Sequence, residues 1–142
     1  MTYRLKQVDG FDDDHADLLR ELHDEIFADE APQINPERGW WWVAYDGREV
    51  AGFCGVTPTY NEPYVAYLKR AGVRLLHRGQ GLQRRMVRVR EMLARKRGFH
   101  MLVTDTTDNP SSANNLISCG YRIYQPAHPW AFKHSIYWIK HL

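Results

Sequence analysis

The sequence predicts a mixed α/β fold, in which a mostly antiparallel central sheet carries helices on its faces. Short alternating or apolar segments typical of strands follow one another before residue 74. In the second half, an amphipathic segment lies between two strand-like segments, which is the pattern of a βαβ crossover. The length of 142 residues fits one domain, which we place over residues 1–142.

The first half of the chain predicts four strands and one helix. Asp12 is suited to cap a helix, and Leu18, Leu19, Leu22 and Ile26 follow at helical spacing. Asp46-Gly47 is a strong hairpin turn between two apolar segments. The predicted elements are a strand at 2–8, a helix at 13–28, a loop at 29–38, strands at 40–45 and 50–57, a loop at 58–63 and a strand at 64–73.

The second half predicts two helices and three strands. Leu82, Met86, Val89 and Leu93 share one helical face, and Gly98 is placed to end that helix. The full predicted order is therefore β α β β β α β α β β. The elements after residue 74 are a helix at 81–97, a strand at 101–104, a helix at 109–118 and strands at 121–124 and 135–139.

Composition excludes several classes of protein. The chain is 44% hydrophobic and 13% aromatic, which excludes a disordered or collagen-like chain. No apolar run approaches the ~18 residues of a membrane span, and residues 1–6 lack the apolar stretch of a signal peptide. Cys54 and Cys119 show no metal-binding spacing, and neither do the seven histidines. We therefore expect a cytoplasmic protein with no metal and no membrane partner.

Charge is distributed unevenly along the chain. Residues 1–37 hold eleven acidic and three basic residues, a formal charge of −8, whereas residues 69–97 hold eleven basic residues and one acidic residue, a formal charge of +10. This asymmetry favours one surface for cations and another for anions. The alternative is that both segments are only solvated helix faces that differ in sign.

A glycine turn between the strand at 64–73 and the helix at 81–97 indicates chemistry. Gly79 and Gly81 let the backbone approach an anion closely, and the first amides of the following helix lack partners. The segment has no GKS or GKT and no third glycine, so it is neither a P-loop nor a dinucleotide-binding fingerprint. Taken alone, the two glycines favour an ordinary turn at a helix start.

In its full setting, the segment Arg78-Gly79-Gln80-Gly81-Leu82-Gln83 resembles the pyrophosphate-binding motif of the GNAT superfamily of N-acetyltransferases. The family usually has glycine or alanine where Gln83 stands, and the larger side chain would either crowd the diphosphate or point away. The hairpin at 41–53 and the positions of Asn109, Ser112, Leu116 and Gly120-Tyr121 agree with the family in order and spacing. The resemblance covers roughly residues 3–125.

The resemblance implies acetyl-CoA as the cosubstrate and direct transfer of its acetyl group to a primary amine. In the family, pantetheine inserts between the fourth and fifth strands, and a backbone amide there faces the thioester oxygen. Pantetheine would therefore meet Gly72, Val73, Leu75 and Asn109. The full set of residues expected to bind the cosubstrate is Gly72, Val73, Leu75, Arg78, Gly79, Gln80, Gly81, Leu82, Gln83, Arg84, Asn109 and Ser112.

The acid and base of the reaction are not clear from the resemblance. Leu116 stands where the family often has a tyrosine acid, so a Leu116→Tyr substitution is expected to be tolerated. Tyr121 is a substitute acid, or else a core residue in place of phenylalanine. Tyr124 is likewise a substitute acid, or else packs on the sheet. Asp105, predicted to follow the fifth strand, is a candidate base, or else caps a turn with Asp108.

The acceptor is expected to be a cationic amine, because residues 12–30 hold nine acidic residues against the single base Arg20. Two other functions remain open. One is a CoA-binding module with little turnover, suggested by Leu116 and Gln83. The other is nucleic-acid binding through the basic helix at 84–97, which is less favoured because no aromatic residues lie among its arginines. A homodimer is compatible with the sequence.

Overall fold

The computed structural model describes residues 2–142, and its element order is the one that the sequence predicts, with two short 3₁₀ helices added. Among these residues, no helix has both the length and the apolar character needed to cross a membrane. The elements are β1 Tyr3–Val8, α1 Asp13–Phe27, β2 Trp40–Asp46, β3 Glu49–Pro58, β4 Val65–Val73, α2 Leu82–Lys96, β5 Met101–Thr106, α3 Pro110–Ser118, β6 Arg122–Tyr124 and β7 Ile136–His141, with 3₁₀ helices at Ala28–Glu30 and Leu75–His77.

The seven strands form one sheet in the order β1-β2-β3-β4-β5-β7-β6. Pairing is parallel between β4 and β5 and antiparallel for β1–β2, β2–β3, β5–β7 and β6–β7. The parallel pair is the one that α2 connects, as the sequence predicts for a βαβ crossover. The prediction of a mixed, mostly antiparallel sheet is confirmed.

The chain divides into two compact units. The first consists of the chain up to Thr57 together with Lys69–Leu82. Its core forms where the apolar face of α1 packs on β2 and β3, and Leu19, Trp41 and Phe53 are almost completely buried there. Trp41 stacks on Phe53, with ring centroids 6.5 Å apart. The spacing of leucines on α1 explains this packing, since it places them on one side of the helix.

The second unit consists of Pro58–Leu68 and Gln83–Leu142. Leu102 on β5 and Met86 and Ala94 on α2 are fully buried. Gly98 ends α2 with a φ of +85°, and the amides of Gly98 and Phe99 bond to the carbonyls of Arg95 and Ala94. This is the helix end that the sequence predicts.

The end of β5 differs from the sequence prediction, and the difference concerns the candidate site. The sequence places Asp105 after the fifth strand, and this is wrong, because β5 continues to Thr106. Residues Met101–Thr106 pair with β7 over their whole length, and Asp105 lies opposite Tyr137. The partner strand lies thirty residues away in the sequence, so local pattern does not reveal how far the pairing extends.

Candidate active site

The glycine turn lies in the first unit and is exposed. Gly79 and Gly81 have φ angles of +74° and +78°, a conformation that other residues rarely adopt. A Cβ at either position would meet nothing within 4 Å, so glycine is required by the backbone conformation and the space around the turn is open. Leu82 follows as the first residue of α2. The first amides of a helix lack partners within the helix, so this turn is suited to bind an anion.

A buried histidine holds the chain just before this turn. The Nδ1 atom of His77 lies 3.0 Å from the hydroxyl of Tyr3, and its Nε2 lies 3.3 Å from a carboxylate oxygen of Glu49. The Nε of Arg78 donates to the carbonyl of Val73 at 3.1 Å. The residues just before the exposed turn are therefore held in place. A ligand that orders the turn consequently loses less conformational entropy on binding.

Residues expected to meet pantetheine occupy the end of β4 and the 3₁₀ helix after it. Gly72 is buried, and a Cβ there would lie 2.9 Å from Ile26 Cδ1 and 3.0 Å from Phe53 Cε1, so a glycine lets α1 pack closely on this strand. Val73 is also buried, whereas Leu75 is 74% exposed. An exposed leucine beside a polar turn is a surface on which an apolar part of a ligand can lie.

In the second unit, the parallel ladder pairs Val65–Tyr67 with Met101–Val103. One residue further, the hydroxyl of Thr104 donates to the carbonyl of Leu68 at 3.0 Å. The side chain of Thr104 thus supplies the hydrogen bond between the two strands just beyond the last residue pair of the ladder.

Asp105 lies next to this point and is held by two aromatic donors. The hydroxyl of Tyr67 donates to Asp105 Oδ2 at 2.5 Å, and the indole Nε1 of Trp130 donates to the same oxygen at 2.8 Å. The ring of Trp130 meets the rings of Tyr67 and Tyr137 edge to face, with centroids 6.1 and 4.6 Å apart. Sequence reasoning missed Tyr67 and Trp130; the signal was an aromatic residue in a polar, proline-containing loop.

Asn109 caps α3, since its Oδ1 accepts from the amide of Ser112 at 3.1 Å. The amide nitrogen of the Asn109 side chain takes no part in this cap. Arg84 is exposed on α2, and its Nε lies 3.4 Å from Asn115 Oδ1, while Gln83 is half-buried. Of the residues expected to bind the cosubstrate, Gly72 to Leu82 lie in the first unit and Gln83, Arg84, Asn109 and Ser112 in the second.

Tyr121 is only 4% exposed, and its hydroxyl donates to Glu91 Oε2 at 2.9 Å. Lys140 Nζ lies 3.0 Å from the same oxygen and also donates to the carbonyl of Cys119 at 2.7 Å. Burial, together with the nearby Glu91 carboxylate, raises the pKa of Tyr121 far above its ordinary value. These contacts match the core role that the sequence left open for Tyr121.

Leu116 is 6% exposed, so the residue at the family's usual tyrosine position is buried on α3. Among residues 2–142, no group of three or more His, Cys, Asp and Glu side chains is arranged to hold a metal ion.

Both the mixed sheet with its α2 crossover and the exposed glycine turn at a helix start are features of CoA-dependent acyltransferases. Residues 4–121 match the sequence profile of the Acetyltransferase (GNAT) family, and the chain belongs to that family. It is therefore an N-acetyltransferase whose cosubstrate is acetyl-CoA, as the resemblance implied. A comparison with curated protein sequences finds no match.

Solved structures with low sequence identity share the fold. An IAA acetyltransferase from Bacillus cereus superposes with a TM-score of 0.77 at 16% identity, covering 99% of this chain and 100% of that one. A Bacillus subtilis acetyltransferase in complex with CoA gives 0.71 at 18% identity, covering 99% of both chains. A chain of the NatC complex bound to Gag peptide and CoA gives 0.78 at 17% identity, covering 100% of this chain and 99% of that one.

Proposed function

We propose that this protein transfers the acetyl group of acetyl-CoA directly to a primary amine that carries positive charge. The reacting nitrogen, in its neutral form, attacks the thioester carbonyl, a C–N bond forms and the C–S bond breaks. One proton leaves the nitrogen and one reaches the CoA sulfur, so the products are an acetamide and free CoA. The protein would contribute position, a path for the proton and donors for the developing oxyanion.

The observation that carries this proposal is the pair of open, left-handed glycines in front of α2. The CoA diphosphate would accept from backbone amides between Arg78 and Gln83, and Arg78 and Arg84 would offset its charge. The Cβ space at Gly79 and Gly81 is empty, which is what close approach of a diphosphate to the backbone requires. The three solved structures named above share only the fold with this chain. Support for the CoA site therefore comes from the geometry of the turn.

Pantetheine would lie along Gly72, Val73 and Leu75, with Asn109 and Ser112 as further contacts. The family resemblance supports this placement. The exposed side chain of Leu75 and the side-chain amide nitrogen of Asn109 are compatible with it.

Asp105 is the group that we propose to receive the proton of the amine. Its carboxylate belongs to β5, and both of its donors come from distant parts of the chain, 38 and 25 residues away, which argues against a simple turn cap. Tyr121 stays a prediction as the acid, but its hydroxyl already donates a hydrogen bond to the buried Glu91 carboxylate. Solvent can protonate the CoA thiolate, so the reaction does not require a tyrosine at this position.

We propose that residues 1–142 act as one acetyltransferase domain, since the family match runs through residues of both units. Cys54 and Cys119 are both free and buried. This supports our inference that the protein works in a reducing compartment such as the cytoplasm.

The decisive experiment is thiol release from acetyl-CoA in the presence of a panel of amines, with CoA binding measured by calorimetry on the same preparation. Release that depends on a cationic primary amine supports the proposal. CoA binding without release by any amine would favour the CoA-binding module suggested by Gln83 and Leu116. Steep salt dependence of DNA binding that CoA does not compete would favour the exposed arginines of α2 as a nucleic-acid surface.

A further inference from the structure

The three-residue cluster of Tyr67, Asp105 and Trp130 suggests how the acceptor is recognised. Both donors bond to the same carboxylate oxygen of Asp105, Oδ2. A carboxylate has two oxygens, and neither of these bonds involves Oδ1. The two bonds to Oδ2 thus fix the orientation of the Asp105 carboxylate, while Oδ1 can accept a hydrogen bond from a ligand.

The rings around Asp105 give the cluster a second property. Trp130 is 45% exposed and meets Tyr67 and Tyr137 edge to face. A tryptophan face attracts a cation more strongly than any other side-chain ring does, and the adjacent carboxylate adds its full charge. A cationic group flanked by methylenes matches such a surface, whereas a carboxylate-bearing amine would meet repulsion from Asp105.

The loop that carries Trp130 is held at two further points. The amide of Ala131 donates to the hydroxyl of Tyr137 at 2.9 Å, and the hydroxyls of Thr107 and Ser135 lie 2.6 Å apart. Trp130 is therefore held near Asp105 before any ligand arrives, and a preorganised surface loses less entropy on binding.

We propose that Asp105 and Trp130 bind the reacting amino group of an alkylamine acceptor as an ammonium, that this acceptor has no nearby carboxylate, and that Tyr67 is a positioning residue for the Asp105 carboxylate. The bound ammonium gives one proton to Asp105 and then attacks as the neutral amine. Suitable acceptors are a diamine or a lysine side chain. This inference rests on the proposed N-acetyltransferase function and adds Tyr67 and Trp130, which sequence reasoning did not find, and the requirement that the acceptor has no carboxylate near its amine.

Two acceptors of equal length test the recognition. Thiol release is measured with 1,5-diaminopentane and with 5-aminopentanoate for wild type, Asp105→Asn, Trp130→Ala, Trp130→Phe and Tyr67→Phe. The wild type should prefer the diamine. In Asp105→Asn, kcat should fall with both acceptors because the proton acceptor is lost, and the preference for the diamine should fall towards unity. In Trp130→Ala the KM for the diamine should rise about tenfold, the scale of one desolvated cation–π contact. Trp130→Phe, which keeps a ring but loses the N–H, should lie between wild type and Trp130→Ala.

Phe132→Ala is the matched control, because Phe132 is an exposed aromatic residue of the same loop. It should leave both acceptor KM values within about twofold, a change smaller than one weak contact. The KM for acetyl-CoA should stay constant in every variant, which a general loss of structure would not allow. If Trp130→Ala fails to fold, recognition of the acceptor is tested with the three more conservative variants, which are Trp130→Phe, Tyr67→Phe and Asp105→Asn.

The possible failures are distinguishable. If wild type binds CoA but releases no thiol with any amine, the proposed function fails and this inference fails with it. If wild type is active but Asp105→Asn and Trp130→Ala keep the acceptor KM and the preference for the diamine, only this inference is overturned.

Discussion

Arg74 and Glu25 form a bidentate ion pair. Nε and one terminal nitrogen of the Arg74 guanidinium each lie 2.9 Å from a different carboxylate oxygen of Glu25. The backbone amide of Arg74 also donates to the carbonyl of Ala51 at 2.8 Å. The hydrogen bonds to Glu25 raise the pKa of Arg74 further above its already high ordinary value. The residue that leads from β4 towards the glycine turn is thus tied to α1 and to β3. One consequence is that the negative charge of Glu25, an acid expected to attract the acceptor, is already balanced by the positive charge of Arg74.

The acids of the 3₁₀ helix Ala28–Glu30, directly after α1, should still attract a cationic acceptor. Asp29 and Glu30 are exposed, so Asp29→Asn/Glu30→Gln should raise the acceptor KM by about twofold at 0.1 M salt. The effect should disappear at 1 M salt, where the Debye length falls to about 3 Å. Steady-state kinetics at the two salt concentrations measure it.

A double substitution at the other end of the same helix provides the control. Asp13→Asn/Asp14→Asn removes the same charge from the first turn of α1. The ends of a 15-residue helix lie roughly 20 Å apart, about two Debye lengths at 0.1 M salt. An acceptor KM that stays unchanged in Asp29→Asn/Glu30→Gln, or a best acceptor that is anionic or uncharged, would show that these acids are only a solvated surface.

Tyr121→Phe should lower stability and leave turnover unchanged. The substitution removes a hydrogen bond to the buried Glu91 carboxylate, at a cost of about 1.5–3 kcal/mol in the free energy of unfolding. Urea unfolding and thiol release on the same samples give the two values. A hundredfold loss of kcat with unchanged stability would instead establish Tyr121 as the general acid.

Stability should fall below about pH 6.5 because of His23. This side chain is 1% exposed and stacks on Phe27, with ring centroids 5.0 Å apart. Burial and the charge of Arg70 lower its pKa from the ordinary value of 6.5. Below that pH the unfolded chain binds a proton that folded His23 does not bind, so acid favours unfolding.

The measurement is urea unfolding between pH 7.5 and 5 for wild type and two variants. His23→Gln should flatten the loss of stability towards low pH. His128→Gln, which changes an exposed histidine, should keep the wild-type slope. Parallel slopes for all three proteins would mean that His23 takes up its proton equally well in the folded state.

Leu116→Tyr should destabilise the protein, contrary to the expectation from sequence alone. Leu116 is buried on α3, and a phenol is larger than the leucine side chain. Overpacking of this kind costs about 1–3 kcal/mol. Thermal unfolding of the variant checks this, and a melting temperature equal to that of wild type would show that the site has room for the ring.

Much of the fold could be predicted because its signals are local. The apolar spacing on α1 and α2, the Asp46-Gly47 turn and the stop at Gly98 each need only a few neighbouring residues. The end of β5 could not be predicted, because Asp105 and Thr106 have no apolar pattern and become part of a strand by pairing with β7. Long-range pairing decided the boundary there, and sequence pattern did not.

The same distinction applies to the site. Gly79 and Gly81 could be found from sequence because a glycine turn before a helix is a local feature. Tyr67, Asp105 and Trp130 come from a strand, a second strand and a loop that are far apart in the chain. Their contact depends on the sheet bringing β4 and β5 together, so residue types alone give no sign of it.

The central claim is that the glycine turn binds the CoA diphosphate, and calorimetric titration of CoA into Gly81→Asp tests it most directly. A carboxylate placed at the turn should weaken CoA binding at least tenfold, or about 1.4 kcal/mol. Gly98→Asp is the matched control, because Gly98 has a φ of +85° and open Cβ space like Gly81, so it carries the same backbone strain. Gly81→Ala separates that strain from the added charge. The account predicts weak CoA binding for Gly81→Asp and wild-type binding for Gly98→Asp; wild-type affinity in a folded Gly81→Asp protein would contradict it.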